Sequence, residues 1–288
     1  MECIQDPGHM QARAEELRLS GKRIAFVPTM GYLHEGHLSL IDAAGRESDI
    51  VIVSIFVNPT QFGPQEDFEN YPRDLERDIE LAKKRGAHIV FHPSAEAMYG
   101  ECPLTNVEVS RITDVLCGAS RQGHFRGVAT VVTKLFNIVK PHLAVFGQKD
   151  AQQAAVILKM VEDLNMDIEI RIAPIVRESD GLAMSSRNVR LKAEDRKNAL
   201  ILSRTLFSIR EGLYNGEPLG KLLEQGRAKI QKIPGARLDY LEARTFPGME
   251  LLQNADPDKN CLIALAARFG KVRLIDNVLI PKKGEQRV

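Results

Sequence analysis

Ile24-Ala25-Phe26-Val27-Pro28-Thr29-Met30-Gly31-Tyr32-Leu33-His34-Glu35-Gly36-His37 opens with four apolar residues that read as a buried parallel strand. Beyond it, Leu38, Ile41 and Ala44 recur at the spacing of one helix face. Pro28 and Gly31 bracket the turn between the two. Two histidines therefore stand at the mouth of a helix, just outside the carboxyl end of a strand, which is where open α/β sheets bind ligands. Amides at a helix start favour anions, and Gly36 lets a ligand approach the backbone without meeting a Cβ. Such a place suits a polyphosphate. The plainer reading is that histidines near a helix start are surface or capping residues, and a four-residue motif alone is weak.

The remaining chain narrows the choice. Its 288 residues suffice for one large α/β domain, or for a main domain with a smaller second one. With 44% hydrophobic and 27% charged residues, disordered, collagen-like and coiled-coil readings fall away. A net charge of +1 gives no reason to expect nucleic acid as a partner. Cys3, Cys102, Cys117 and Cys261 lie far apart with no Cys-x-x-Cys pair, so the sequence points to a reduced, cytoplasmic setting. Met1 to Met10 lack the basic start and apolar core of a targeting segment, and no run is long enough to span a membrane.

Taken in order, the pattern predicts a charged helix over Met10–Leu19 and a second buried strand over Ile50–Val57. That strand ends in Asn58-Pro59-Thr60-Gln61-Phe62-Gly63, where Asn58 suits a turn and Gln61 suits a ligand. Leu75, Ile79 and Ala82 predict a helix over Pro72–Arg85 with a wet, charged opposite face. His88–Phe91 reads as a third strand, and His88 with His92 has no third ligand nearby to make a metal site. Ser94–Arg121 is irregular apart from a short helix at Ile112–Leu116, as lids and insertions often are.

Gly123-His124-Phe125-Arg126-Gly127 opens an amphipathic helix that runs to Val139. Strand Leu143–Phe146 then ends in Gly147-Gln148-Lys149-Asp150, ahead of a helix over Ala151–Leu164. Gly147 permits the turn, Lys149 neutralises phosphate, and Asp150 is an N-cap by type. After strand segments at Ile168–Ile172 and Ile175-Val176 comes the polar loop Arg177–Asn188. Its Ser185, Ser186 and Arg187 are suited to gripping phosphoryl oxygens. Helices over Ala193–Leu213 and Leu219–Ile233 are followed by strands Ala236–Arg244, Cys261–Ala267 and Val272–Ile280. Helices and then strands, without alternation, describe a small α+β unit. The division expected is residues 1–184, a Rossmann-like parallel-sheet domain, and 185–288, a C-terminal α+β lid.

Five of these segments fall in the order and spacing of one family: Pro28–His37, Val57–Gly63, Gly123–Gly127, Gly147–Asp150 with Gln153, and Asp180–Asn188. The chain resembles the pantoate–β-alanine ligases, which belong with the His-x-Gly-His nucleotidyltransferases. The resemblance runs from about Arg23 to Arg190 and more loosely beyond. It implies ATP-dependent condensation of (R)-pantoate with β-alanine through pantoyl adenylate, releasing AMP and pyrophosphate, with Mg²⁺ as shared counter-charge. It also implies a homodimer. By resemblance, Met30, Gly31, Tyr32, Leu33, His34, Glu35, Gly36 and His37 line the ATP site, and His37 is the assigned proton donor. Gly147, Gln148, Lys149, Asp150, Val176, Met184, Ser185, Ser186 and Arg187 complete that site, with His34, His37 and Lys149 as the catalytic set. Gln61 and Gln153 hold pantoate, and Gln61 also meets β-alanine. Some relatives carry glutamate at Gln148, which removes one carboxylate near magnesium here. Arg121 and His124 are assigned to the edge of the site. The competing readings are an adenylyl-transferring enzyme for another acid and a nucleotide-binding regulator. The protein ligands of the metal are not legible.

Overall fold

The structure is a computed structural model that describes residues 1–64 and 66–284. The chain begins with strand β1 (Glu2–Ile4) and helix α1 (Pro7–Leu19). The helix starts earlier than its apolar spacing predicts, because Asp6 accepts from the His9 amide at 2.7 Å and Pro7 occupies the first helical position. Next come β2 (Ile24–Thr29), α2 (Glu35–Arg46), β3 (Ile50–Ile55), α3 (Leu75–Lys84) and β4 (Ile89–Phe91). The stretch expected to be irregular holds two short helices, α4 (Ala95–Tyr99) and α5 (Leu116–Ser120), the second starting where the predicted one ends. Helix α6 (His124–Val139), β5 (Leu143–Gly147), α7 (Ala151–Asp163) and β6 (Glu169–Ala173) complete the first body.

All six strands of this body pair in parallel, in the order β1-β4-β3-β2-β5-β6. The order reverses at β2, so the crevice beyond the carboxyl ends of β2 and β5 is the topological switch point. Ile24, Ala25, Phe26, Val27, Leu143, Ala144 and Val145 are fully buried there, as a sheet covered on both faces requires. The fold is the α/β architecture with a smaller C-terminal α+β unit that the sequence predicts.

Beyond the first body, α8 (Ala193–Ala199) and α9 (Ile201–Tyr214) replace the single helix read from the sequence, the two meeting at Leu200. Helix α10 (Leu219–Gln231) precedes the antiparallel sheet β7 (Ala236–Thr245), β8 (Cys261–Phe269) and β9 (Val272–Ile280). Strand β8 is buried on both faces. Ile263, Leu265 and Ala267 join the core under α9 and α10, while Leu262 and Ala264 join the core of the parallel body. A polar contact crosses the same seam: Cys117 Sγ lies 3.2 Å from the Tyr240 hydroxyl and 3.4 Å from Arg273 Nη1. The small unit is thus packed on the large one by apolar area and by specific polar contacts.

Candidate active site

The loop after β2 is held from both ends. His34 is the N-cap of α2, its Nδ1 accepting from the Gly36 amide at 3.1 Å, and His37 Nδ1 accepts from the His34 amide at 3.3 Å. Each imidazole then keeps its proton on Nε2, the nitrogen left for a ligand. The rings stack with centroids 4.0 Å apart. Burial, and then the Lys149 charge, push His34 down to about 4. Burial, His34 and Lys149 hold His37 well below the ordinary histidine range. Both rings are neutral N–H donors near pH 7.

Upstream, Gly31 at φ +82° and Tyr32 at φ +50° turn the backbone so that the Tyr32 and Leu33 amides donate to one carboxylate. This is Asp78 on α3, 1% exposed, accepting at 2.6 and 2.7 Å. A Cβ on Gly31 would stand 2.9 Å from Asp78 Oδ2. No acid on this helix stands out in the sequence; Asp78 shares the face of Leu75, Ile79 and Ala82, and its burial is matched by two backbone donors. A Cβ on Gly36 would stand 2.9 Å from the His34 ring, so this glycine also makes room for that imidazole.

After β3, Asn58 does form the turn, accepting from Thr60 N at 3.3 Å and from the Tyr99 hydroxyl at 2.7 Å. It also donates to Gln61 Oε1 at 3.1 Å, which orients the Gln61 amide toward the Met30 sulfur, 3.1 Å from Nε2. A thioether is a weak acceptor, so that N–H₂ remains available to a ligand. Gly127 lets α6 press against this turn, since a Cβ there would lie 2.4 Å from the Thr60 carbonyl oxygen. His124 and Arg121 brace it: His124 Nδ1 meets the Gln61 carbonyl at 2.8 Å, and Arg121 lies 2.8 Å from the other ring nitrogen while gripping Glu66. Burial, and then Arg121, push His124 down to about 4.

These loops converge. A cavity of about 190 Å³ is lined by Met30, His34, Gly36, His37, Gln61, Gly147, Lys149, Asp150, Gln153, Val176, Met184, Ser185, Ser186 and Arg187. A second cavity of about 320 Å³ continues from it toward the C-terminal sheet, sharing Lys149, Asp150, Gln153, Ser185 and Arg187. Five predicted residues do not line either cavity. Gly31, Tyr32 and Leu33 serve through backbone, Glu35 pairs with Arg85 on the surface, and Gln148 faces Asn277.

Two expectations need correction. Asp150 stands at the N-cap position of α7, yet its side chain caps nothing; its nearest charged partner is Lys149 Nζ at 3.6 Å. Gly147 is at φ −86°, which any residue adopts. Arg187 reaches the cleft with its fork already engaged, at 3.0 Å to each oxygen of Asp67. Sequence reading missed Asp78, Asp67 and the pair Asp276–Asn277. Only the last left a mark, as adjacent polar residues inside the apolar strand Val272–Ile280.

A family model described as pantoate-beta-alanine ligase matches residues 2–279. A pantothenate synthetase of Acetivibrio thermocellus is 53% identical, the match covering 97% of this chain and 99% of that one. One of a Thermoanaerobacter species is 57% identical over 92% and 93% of the two chains. The solved pantothenate synthetase of Thermus thermophilus superposes with a TM-score of 0.90 at 43% identity, over 96% of this chain and 99% of that one. A pantoate-beta-alanine ligase from Francisella tularensis, complexed with beta-gamma ATP and beta-alanine, does so with a TM-score of 0.78 at 36% identity, over 97% of each.

Proposed function

The chain belongs to the pantoate-beta-alanine ligase family, and we propose that its cleft joins (R)-pantoate to β-alanine at the expense of ATP, yielding pantothenate, AMP and pyrophosphate. The observation that carries this reading is the meeting of His34, His37, Lys149 and Ser185–Arg187 with the amides of Gln61 and Gln153 around one cavity at the switch point.

A carboxylate is a poor electrophile because its leaving group would be oxide. The pantoate carboxylate therefore attacks the α-phosphorus of ATP, pyrophosphate departs, and pantoyl adenylate remains. The amine of β-alanine then attacks the acyl carbon and AMP leaves. Charge develops on the α-phosphoryl oxygens and on pyrophosphate in the first step. Lys149 meets it as a cation, and the Nε2–H groups of His34 and His37 meet it as neutral, fixed donors. In this reading His37 acts as a neutral hydrogen-bond donor, since burial, His34 and Lys149 hold it well below the ordinary histidine range. The Gln61 and Gln153 amides hold pantoate without an ion pair that would stabilise its ground-state carboxylate.

Magnesium fits the donor set as a passenger of ATP. Among the described residues no cluster of three or more His, Cys, Asp or Glu stands ready to hold a metal. Mg²⁺ takes one or two carboxylates along with phosphate oxygens, and Asp150, free of any capping bond and beside Lys149, would supply one. When bound, the ion neutralises charge on phosphoryl oxygens.

The division near residues 184 and 185 belongs to the same proposal; Leu182, just ahead of it, is already buried in the core of the C-terminal unit. The cytoplasmic setting, which rests on the spacing of the cysteines, and the homodimer, which rests on the family resemblance, belong to it as well. Among the described residues no helix is long and apolar enough to cross a membrane. The decisive experiment is isotope exchange between pyrophosphate and ATP. Exchange is expected with pantoate alone and without β-alanine, and AMP formation only when both acids are present. Exchange that ignores pantoate would overturn the reading.

A further inference from the structure

The loop bearing Lys149 lacks local supports. Among the described residues no side chain caps α7, and none caps the 3-10 turn Gln148–Asp150 before it. The turn is held instead from β9. Asn277, 3% exposed, donates from Nδ2 to the carbonyls of Gln148 at 2.9 Å and Lys149 at 3.0 Å. Its Oδ1 accepts from Gln148 Nε2 at 3.1 Å. Two carbonyl oxygens on one side and an N–H₂ on the other require an amide at this position; a carboxylate would face the carbonyls with no proton to offer.

Asn277 is itself fixed. Its backbone N–H donates to Asp276 Oδ1 at 2.7 Å, and Asp276, 2% exposed, receives both arms of Arg177 at 2.7 and 2.9 Å. Arg177 also donates to the Gly181 carbonyl at 3.1 Å. A continuous set of hydrogen bonds thus runs from the loop after β6, through the C-terminal sheet, to the backbone beneath Lys149.

We infer that Asn277 is a positioning residue for the reaction. It sets the backbone from which Lys149 reaches the phosphoryl oxygens, so the seating of the C-terminal sheet becomes a condition for charge stabilisation by Lys149. This rests on the proposed pantoate-activating role of the cleft. Asn277 acts through Lys149, and displacement of a catalytic cation by about 1 Å is enough to cost on the order of a hundredfold.

The test begins with the unmodified enzyme. If it forms no AMP with pantoate and β-alanine, the proposed function fails before any variant is made. Given that activity, Asn277→Ala and the isosteric Asn277→Asp are each made in the wild-type and Lys149→Ala backgrounds, and kcat, the KM for pantoate and the thermal midpoint are measured. Both changes are expected to lower kcat about tenfold or more in the wild-type background, with the KM for pantoate within about twofold. In the Lys149→Ala background the further loss is expected to be under about twofold, because residues that act as a unit do not add. A wild-type kcat in either variant overturns the inference, and so does an equal loss in both backgrounds. Failure of both variants to fold also overturns it, since it would assign Asn277 to the framework alone.

Discussion

The loops after β2 and β5 occupy equivalent places on neighbouring strands and are built by opposite means. The first is nearly self-sufficient. The His34 ring accepts from the Gly36 amide and the His37 ring from the His34 amide, all within four residues, and Asp78 fastens the turn before them. The second carries the cation and has no cap of its own; it depends on Asn277 of another sheet. Fixed neutral donors and the charge they cooperate with need not be stabilised by the same part of a chain.

Removing the cation should cost most, and it separates chemistry from scaffolding. Lys149→Ala should lower kcat about a hundredfold or more, as loss of a charge-stabilising donor does. Its unfolding free energy should move by less than about 0.5 kcal/mol, because little but Asp150 rests on that side chain. A large loss of stability would mean that the second loop leans on its lysine after all.

Gly31→Ala strikes the first loop. At φ +82° and with 2.9 Å to the Asp78 carboxylate, the added methyl should cost about 2 kcal/mol in denaturant unfolding. Catalytic efficiency toward ATP should fall with it. A neutral result would show that Asp78 does not fix the turn.

Acid probes the same loop by its charge. In the fold His34 titrates at about 4, against about 6.5 in an unfolded chain, so the unfolded state binds more protons between these values. Its stability contribution is complete above about pH 6.5 and is lost as pH falls toward 4. His34→Asn keeps an N-cap acceptor that does not titrate. The variant should therefore lose less stability than wild type between pH 6.5 and 5, by about 1 kcal/mol per pH unit. Parallel acid slopes would contradict the buried, neutral assignment. Smallest of all, Gly147→Ala should shift stability by less than about 0.5 kcal/mol, since its backbone is ordinary and its nearest obstacle is Leu40 Cδ2 at 4.0 Å.

This difference in construction also explains what could be read from the residues. Strand β2, the histidine pair and α2 are local in sequence, so apolar runs and helix spacing reveal them. Lys149, Gln61 and Ser185–Arg187 were legible because each follows a strand, where a polar cluster is unusual. Asp78 went unread among Asp74, Glu76 and Glu80, although its spacing from Leu75 and Ala82 sets it on the apolar face; the two amides that satisfy it come from a distant loop. Arg187 looked free because Asp67 lies 120 residues away. Strand β1 escaped notice for a simpler reason: three residues are too few to show an alternation, and pairing with β4 alone defines it.

The thiol of Cys117, buried at the seam beside Tyr240 and Arg273, also lines the larger cavity. Maleimide should label the exposed Cys3 and Cys102 at once and the buried Cys117 and Cys261 slowly. Protection of Cys117 by ATP and pantoate, read against Cys261, which lines neither cavity, would report occupancy of the cleft through a sulfur that takes no part in the reaction.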